Sequence, residues 1–465
     1  MSGKLPQPIG RQKEVLCLRA QGHHIVLGTA GSGKTTMAVH RALYLANSKT
    51  DHHGRTLLLT FNRCLVAYLQ SLISAFPREV TVENYHKFAR GYLNYRGRMR
   101  WNSICGPDEQ IVLCEKAVTT LRAAGETNPV LDRPVEFLVE EFRWLAQHGI
   151  VTSAEYMTAE RIGRTGARIL RADRRVVFRA YEQYKQLRMA SGKDYDWEDL
   201  SNAVLTEFTA DTSERRYRHV VVDEGQDFSP MMLRSLAASI PSDGSLTFFG
   251  DMAQQIYGNK MSWRSAGLSV RQVWEFQENY RNTKQVAKLA LAIAGMPYFR
   301  DVIDLVEPKA PTADGPQPAL VSFRNENDEL KFVVERAIRL AQTGAVAVLF
   351  RDREQEDAIK PLIPKATRLH RELLAWPGGP GLFYGTYHAA KGLEFDAVFL
   401  PYVSEIRLPH PPDVVAFGPE DAAIRDSRLL YVAITRAKST LVLTHVGQPT
   451  KLLPGDGGLY QRSSR

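Results

Sequence analysis

Short apolar runs rich in β-branched residues recur along the chain, and longer segments with helical spacing of apolar positions separate them. Such runs are typical of strands buried on both faces of a parallel sheet, with the helices as crossovers between strands. The pattern therefore predicts an α/β fold with parallel sheets. The predicted strands cover residues 25–27, 57–59, 220–222, 246–249, 346–350, 397–400 and 441–443.

Polar, charged and glycine residues directly follow several of these predicted strands. In doubly wound sheets, ligands bind outside the carboxyl ends of the strands, so we expect these residues to meet at one rim of the sheet. They are residues 28–35, 60–62, Asp223, Glu224, Gly250, Asp251 and His445.

Other parts of the chain have different patterns. Residues 88–193 have helical spacing, many Arg and Glu residues and no clear buried strand, which predicts a helical insertion. Residues 451–465 are rich in glycine and predict a flexible tail. A chain of 465 residues is too long for one compact core, so we expect at least two domains.

The composition narrows the class of protein. With 44% hydrophobic and 24% charged residues, the chain is neither disordered nor a membrane protein. No apolar stretch approaches the roughly 18 residues that span a bilayer, and the N-terminus lacks the apolar core of a signal peptide, so we expect no membrane contact and a cytoplasmic location. The cysteines form no C-x-x-C pair, which predicts buried or half-buried thiols rather than a zinc site or disulfides. They are Cys17, Cys64, Cys105 and Cys114.

The net charge of +9 favours an anionic partner such as nucleic acid. Basic residues are spread along the chain, however, and groups such as Arg96, Arg98 and Arg100 are equally compatible with a solvated surface.

A phosphate-binding loop follows the first predicted strand, where eight residues match G-x-x-x-x-G-K-[ST]. In such a loop, backbone N–H groups and the N-terminus of the next helix face phosphate oxygens. Lys34 would reach the β and γ phosphates of ATP, and the Thr35 hydroxyl would hold Mg²⁺. The predicted ATP-binding residues of this loop are Gly28, Thr29, Ala30, Gly31, Ser32, Gly33, Lys34, Thr35 and Thr36.

Two acidic residues end the predicted strand at 220–222. Asp223 is suited to a Mg²⁺ contact, and Glu224 is suited to orienting or activating the attacking water. Because a phosphate loop needs such a partner, the pair predicts an ATP hydrolase with ATP and Mg²⁺ as cofactors.

The segment Asp223-Glu224-Gly225-Gln226-Asp227 resembles motif II of superfamily 1 DNA helicases of the UvrD/Rep/PcrA-like branch. Gln12 lies where that family has its adenine-reading glutamine. Other segments resemble the remaining motifs in the family's order: residues 250–257 resemble motif III, 279–283 motif IV, 387–396 motif V and 430–437 motif VI.

The resemblance implies roles for further residues of the ATP site. Gln254 would sense the γ phosphate, while Arg281 and Arg436 would be arginine fingers that neutralise charge on the transferring phosphoryl group. Tyr280 would stack on adenine, and Glu394 would accept hydrogen bonds from the ribose. ATP would then draw two RecA-like domains together, and hydrolysis would release them.

The resemblance also implies contacts with single-stranded DNA, through polar groups on phosphates and aromatic faces on bases. Two segments depart from the family pattern: residues 60–65 lack the usual Asn-Lys-Ala-Ala continuation, and Asn84 replaces the Thr expected before Tyr85. Trp263 follows a longer spacer than its counterpart in the family. The predicted DNA contacts are Phe61, Asn62, Arg63, His86, Tyr257, Trp263, His388 and Lys391.

The same comparison divides the chain into domains. Residues 1–87 and 194–275 correspond to the RecA-like domain 1A, 88–193 to the 1B insertion and 276–450 to the RecA-like domain 2A. Only about thirty residues separate the strand at 346–350 from motif V, too few for the 2B domain of the long family members. We therefore expect a short form without 2B.

Two functions follow from these observations. The motif set predicts an ATP-dependent translocase or helicase on single-stranded DNA with 3′ to 5′ polarity, and RNA stays open as the polymer. The missing 2B domain and the altered DNA motifs suit the alternative, a nucleotide-gated subunit that regulates a nuclease partner without processive unwinding. Small chains of this shape occur beside nuclease subunits in antiphage systems such as the Gabija type.

Overall fold

The structure is a computed structural model that describes residues 5–73, 75–161, 169–251, 263–299, 311, 313–370, 373 and 375–465. Two parallel sheets with helices packed against them confirm the predicted α/β class. The strands are β1 (Gly22–Gly28), β2 (Thr56–Thr60), β3 (Val80–Asn84), β4 (His219–Val222), β5 (Ser245–Gly250), β6 (Val270–Phe276), β7 (Ala319–Phe323), β8 (Ala345–Phe350), β9 (Thr367–Arg368), β10 (Gly381–Thr386), β11 (Phe395–Leu400), β12 (Ala437–Val446) and β13 (Gln461–Ser464).

The described α-helices precede the first strand or lie between the strands. They are α1 (Arg11–Leu16), α2 (Lys34–Leu45), α3 (Arg63–Ser71), α4 (Tyr85–Tyr95), α5 (Pro107–Ala123), α6 (Val135–His148), α7 (Ser153–Thr158), α8 (Arg174–Ala190), α9 (Asp199–Ala210), α10 (Pro230–Ala238), α11 (Lys284–Ala294), α12 (Glu326–Leu340), α13 (Arg353–Ile359), α14 (Pro411–Phe417) and α15 (Pro419–Ile434). None of the described helices is long and apolar enough to cross a membrane.

The first sheet has the strand order β3-β2-β4-β5-β1-β6, and all of its pairs are parallel. Strands β2, β4 and β5 are buried along their whole length because their residues pack on both faces of the sheet. We call this sheet and the helices packed on it the first lobe. Its order brings the ends of β1, β4 and β5 side by side, so that the phosphate loop, Asp223 and Asp251 lie at one rim.

Two asparagines begin helices of the first lobe at the positions where the sequence departs from the family pattern. Asn62 accepts a hydrogen bond from the backbone N–H of Cys64 at 2.9 Å and caps α3. Asn84 accepts from the N–H of Lys87 at 3.0 Å and caps α4. Asn is a strong N-cap residue, so the replacement of Thr at position 84 preserves the start of the helix.

The helices α5 to α8 enclose a separate core around Phe137, Phe142 and Phe178. We call residues 105–187 the helical insertion. The insertion was expected to begin at residue 88, but Phe88 and Leu93 of α4 pack in the core of the first lobe. Helix α4 therefore belongs with the first sheet, because its apolar face is buried there.

The second sheet has the strand order β13-β7-β12-β11-β8-β10-β9, again with parallel pairs. We call this sheet and its helices the second lobe. The flexible tail expected at 451–465 is wrong for most of that segment, because β13 pairs in parallel with β7. Leu459 and Tyr460 are buried and hold the segment, which the nearby glycines concealed in the sequence.

Three of the four cysteines are buried as expected, but Cys17 is exposed. It lies directly after the short helix α1, of which Val15 is the buried residue. The prediction of a buried or half-buried thiol is therefore wrong at this position.

Candidate nucleotide site and inter-lobe contacts

The phosphate loop joins β1 to α2, and its glycines are required by close packing. A Cβ atom on Gly28 would lie 2.5 Å from the Ser32 Oγ atom, and Gly31 and Gly33 have φ angles of +79° and +82°. Within the loop, the Lys34 ammonium donates to the carbonyl oxygens of Gly28 at 2.8 Å and Thr29 at 2.6 Å. Phosphate oxygens would replace these acceptors when a nucleotide binds.

Among the described residues, three buried polar atoms of this region have no hydrogen-bond partner: the hydroxyl oxygens of Thr29 and Ser32, and Oδ2 of Asp223. Buried polar atoms are rarely left unpaired unless they await a ligand or water. Their position in and beside the phosphate loop fits a bound triphosphate with its metal ion.

Asp223 ends β4, and its carboxyl group hydrogen-bonds the Thr35 hydroxyl. Burial, together with the charge of Glu224, raises the pKa of Asp223 to about 7. A bound cation would stabilise the ionised carboxylate of Asp223 against these two effects. Thr35 and Asp223 therefore fit Mg²⁺, which takes few protein ligands and would neutralise charge on the phosphates.

Glu224 follows at once, with a φ angle of +52° that is uncommon for a residue other than glycine. Burial acts to raise its pKa, but the charges of Arg436, Lys391 and Lys34 outweigh burial and lower it. The carboxylate also accepts a hydrogen bond from the Gln226 amide, so it is held ionised and oriented. An ionised, fixed carboxylate is suited to activating water.

A cavity of about 400 Å³ adjoins the phosphate loop and shares Ser32 with it. Gln12 and Tyr280 line this cavity, and the Gln12 amide donates to the Ser32 carbonyl at 3.2 Å. Tyr280 is exposed, while its backbone N–H donates to the Gly31 carbonyl at 3.0 Å. The volume and the ring of Tyr280 suit a nucleobase.

The two predicted arginine fingers have different surroundings. Arg281 lines the phosphate-loop cavity together with Glu224, and it forms an ion pair with Glu394. Arg436 is buried and donates to the carbonyl oxygens of Val432 and Leu393. Burial lowers the pKa of Arg436 to about 10. Glu394 was expected to accept hydrogen bonds from the ribose, but here it pairs with Arg281.

Motif V of the second lobe contacts the first lobe beside this site. Lys391 forms an ion pair with Asp227, and both side chains are nearly inaccessible to solvent. The Asn62 amide donates to the carbonyl oxygens of Ala389 at 3.1 Å and Lys391 at 3.2 Å. Asn62 and Lys391, both predicted to touch DNA, thus contact each other's lobes in this conformation, and a DNA contact of Lys391 requires its ion pair to open.

The other predicted DNA contacts that the structure describes have different surroundings. Phe61 and His86 lie edge to face with ring centroids 5.5 Å apart, and His388 is half-buried. Burial lowers the pKa of His388 to about 3, so its ring is neutral. Trp263 packs edge to face on Phe248 at 5.1 Å, which makes it partly a core residue.

Arg63, by contrast, is exposed at the start of α3. Gln254 and Tyr257 lie outside the described residues.

Several functional contacts were missed in the sequence. Gln226 joins Glu224 to the first-lobe rim, because its side-chain oxygen accepts from the Asp251 N–H at 2.9 Å. Asn282 donates to the carbonyl oxygens of Thr435 and Ala437, which joins motif IV to motif VI. Both residues stand inside recognised motifs, and that position was the available signal.

Comparison with known proteins matches the same regions. The family model of the UvrD/REP helicase N-terminal domain matches residues 10–280, and that of the UvrD-like helicase C-terminal domain matches residues 383–448. The ATP-dependent DNA helicase UvrD2 of Mycobacterium tuberculosis is 25% identical over 93% of this chain and 78% of its own length. A probable DNA helicase of Mycoplasma pneumoniae is 24% identical, with 91% and 81% covered. The ATP-dependent DNA helicase PcrA of Leuconostoc citreum is 22% identical, with 74% and 47% covered.

Proposed function

The chain belongs to the UvrD/REP helicase family, and from this membership we propose that it is an ATP-dependent translocase and helicase on single-stranded DNA. One observation carries the proposal: Lys34, Glu224 and Arg281 line the same cavity. Arg281 precedes α11, which packs on α15 and β12 of the second lobe. ATP hydrolysis would therefore change the contact between the lobes.

The residues divide the work of hydrolysis. Lys34 would move from the carbonyl oxygens of Gly28 and Thr29 to the phosphates, and Glu224 would accept a proton from the attacking water. Arg281 would leave Glu394 and neutralise the charge that develops on the transferring group. Loss of the γ phosphate would release Arg281 and loosen the lobes, and repeated closing and opening would move the chain along the strand, with 3′ to 5′ polarity as the expected direction.

The short segment between β8 and β10 supports a helicase of the short form without a 2B domain. Between β8 and β10 the described residues form α13, a short 3₁₀ helix and the two-residue strand β9, and these short elements support a chain without 2B. The UvrD2 relative aligns over 561 positions, more than the 465 residues of this chain, so it contains insertions that this chain lacks. We propose that the 2B domain is among them.

The test measures ATP turnover with single-stranded DNA, with RNA and without polymer, together with strand displacement from 3′-tailed and 5′-tailed duplexes. We expect stimulation by DNA and displacement from the 3′ tail, and no turnover in the Lys34→Ala variant. Turnover that single-stranded DNA does not raise, with no displacement from either duplex, would overturn the proposal. The alternative function, regulation of a nuclease partner, rests on the missing 2B domain and the altered DNA motifs, and it is the function that such a result would favour.

A further inference from the structure

The last residue of α4 and the loop between α4 and α5 present two aromatic side chains to solvent. Trp101 is 98% exposed and Tyr95 is 76% exposed, and the described ring contacts do not involve Trp101. Large apolar side chains at such exposure are unusual because burial of a tryptophan is strongly favourable. An exposed indole presents both faces to a stacking partner.

The loop is held in place around this indole. Gly97 and Asn102 have φ angles of +70° and +58° and form its two turns. The Arg98 N–H donates to the Leu93 carbonyl at 2.8 Å, and the Tyr195 hydroxyl donates to the Arg98 carbonyl at 3.0 Å.

Further contacts fix the other side of the loop. The Lys193 ammonium donates to Asn102 at 2.9 Å, and Met99 packs against the core of the first lobe. Trp101 therefore stands on a fixed backbone, and little conformational freedom would be lost on binding.

Three arginines lie between Tyr95 and Trp101. Arg98 and Arg96 bind Glu207, and Arg100 binds Asp194, so their guanidinium groups are oriented. The side chains of Arg98 and Arg100 are 62% and 70% exposed, which leaves donors free to face solvent. Basic groups beside an exposed aromatic face suit a single strand, whose bases stack and whose phosphates are anionic.

Two elements connect the loop to His86, a predicted DNA contact. Helix α4 begins next to His86 and ends at Tyr95, so these residues lie about 14 Å apart at a rise of 1.5 Å per residue. On the other side, Arg100 binds Asp194, and Trp197 contacts the His86 ring edge to face at 5.2 Å. A single strand a few nucleotides long could therefore reach from His86 to this loop.

We propose that this loop is a further contact for single-stranded DNA, in which the Trp101 indole stacks on an unpaired base and Arg98 and Arg100 bind the adjoining phosphates. This inference rests on the proposed function. It adds a surface outside the motifs of the family, at the entrance to the helical insertion.

The experiment measures the affinity of the full chain for a fluorescent thymidine oligonucleotide. We expect Trp101→Ala to weaken binding about tenfold, because one base–aromatic stack is lost, while Trp101→Phe keeps most of the affinity. Leu170→Ala is the control, since Leu170 is a large apolar residue of the helical insertion that is 70% exposed. Arg98→Ala should lower the dependence of log Kd on log salt by about 0.7.

ATP turnover separates this inference from the proposed function. The Trp101→Ala variant should keep the turnover measured without DNA and need about ten times more DNA for half-maximal stimulation. Equal affinities of Trp101→Ala, the control and the unaltered chain would overturn the inference alone. An unaltered chain that binds no single-stranded DNA would overturn the proposed function as well.

Discussion

Lys391 of the second lobe and Asp227 of the first lobe form a buried ion pair, with side chains only 4% and 3% exposed. Asp227 stands three residues after Glu224, and Lys391 stands three residues after His388. The pair therefore connects the segment of Glu224, the proposed general base, to the segment predicted to contact DNA. A change at either end would alter the other through this contact.

Breaking this pair should be costly. Lys391→Met or Asp227→Leu leaves one buried charge without its partner, which should reduce the free energy of unfolding by about 3 kcal/mol. The double variant should regain most of that loss, because neither charge remains. Denaturant unfolding of the four chains measures the coupling. Lys87→Met is the control: Lys87 pairs with Glu83 on the surface and is 67% exposed, so its loss should change little. Additive effects of the two substitutions would contradict the prediction.

Arg281 should act on the chemical step rather than on binding. Arg281→Ala should reduce kcat for ATP about 1,000-fold with little change in KM, because an arginine finger acts on charge that develops during transfer. Steady-state turnover at saturating DNA checks this. Arg78→Ala removes an exposed arginine elsewhere and serves as the control. A rise in KM with unchanged kcat would show that Arg281 binds the ground state instead.

Asp223 should lower stability at neutral pH in the absence of metal. Its pKa is raised to about 7 in the folded chain, above the ordinary value, so the folded state holds this proton more tightly than the unfolded state. The stabilisation is fully present at low pH and is lost as the pH rises from about 4 through 7.

The Asp223→Asn variant is neutral at every pH and should lack this loss. In EDTA at pH 8 it should be more stable than the unaltered chain by at least about 1 kcal/mol, while ATP turnover is abolished. Thermal unfolding between pH 4 and 8 gives the comparison. Parallel curves for the two chains would contradict the raised pKa.

Tyr280 should set the affinity for the nucleobase. Tyr280→Ala should raise KM for ATP by roughly 3- to 10-fold, because one stacking contact is lost. Tyr280→Phe keeps an aromatic ring and should leave KM almost unchanged. Competition between ATP and tripolyphosphate for the site distinguishes base from phosphate binding. If both ligands weaken equally in Tyr280→Ala, the ring does not contact the base.

The helical insertion should be fastened to the second lobe. Phe417 and Ala416 of α14 are buried in the core of the insertion, Arg425 forms a bidentate ion pair with Glu140, and its guanidinium lies 3.9 Å from the centre of the Phe417 ring. Phe417→Ala should weaken the packing between the insertion and the second lobe by about 3 kcal/mol of free energy.

Limited proteolysis and hydrogen exchange of α14 and α6 should then show faster opening in Phe417→Ala. Val415→Ala, which changes an exposed residue of the same helix, is the control. Unchanged protection in Phe417→Ala would show that this contact does not hold the insertion.

The sequence predicted what depends on local pattern. All seven strands expected from apolar runs exist, and the family resemblance carried by Lys34, Asp223 and Glu224 is confirmed. Strands such as β3 and β10 were missed because polar residues and glycine interrupt them. The roles of individual site residues stay predictions.

Contacts between distant segments gave no signal in the sequence. Lys391 and Asp227 are 164 residues apart, and nothing near either residue indicates its partner. The sequence likewise does not indicate that Phe417 of the second lobe is buried in the core of the helical insertion. Such pairs follow from how the lobes pack, which periodicity and motif spacing do not specify.

The contact made by Phe417 has a mechanical consequence. The first lobe is joined to the insertion through the chain, the insertion to the second lobe through Phe417, and the second lobe to the first through Lys391. Each of the three parts is therefore attached to the other two, so the lobes cannot separate by rotation about a single hinge. A widening of the proposed ATP cleft would therefore require the Lys391 contact or the Phe417 contact to break, and the weaker of the two would open first.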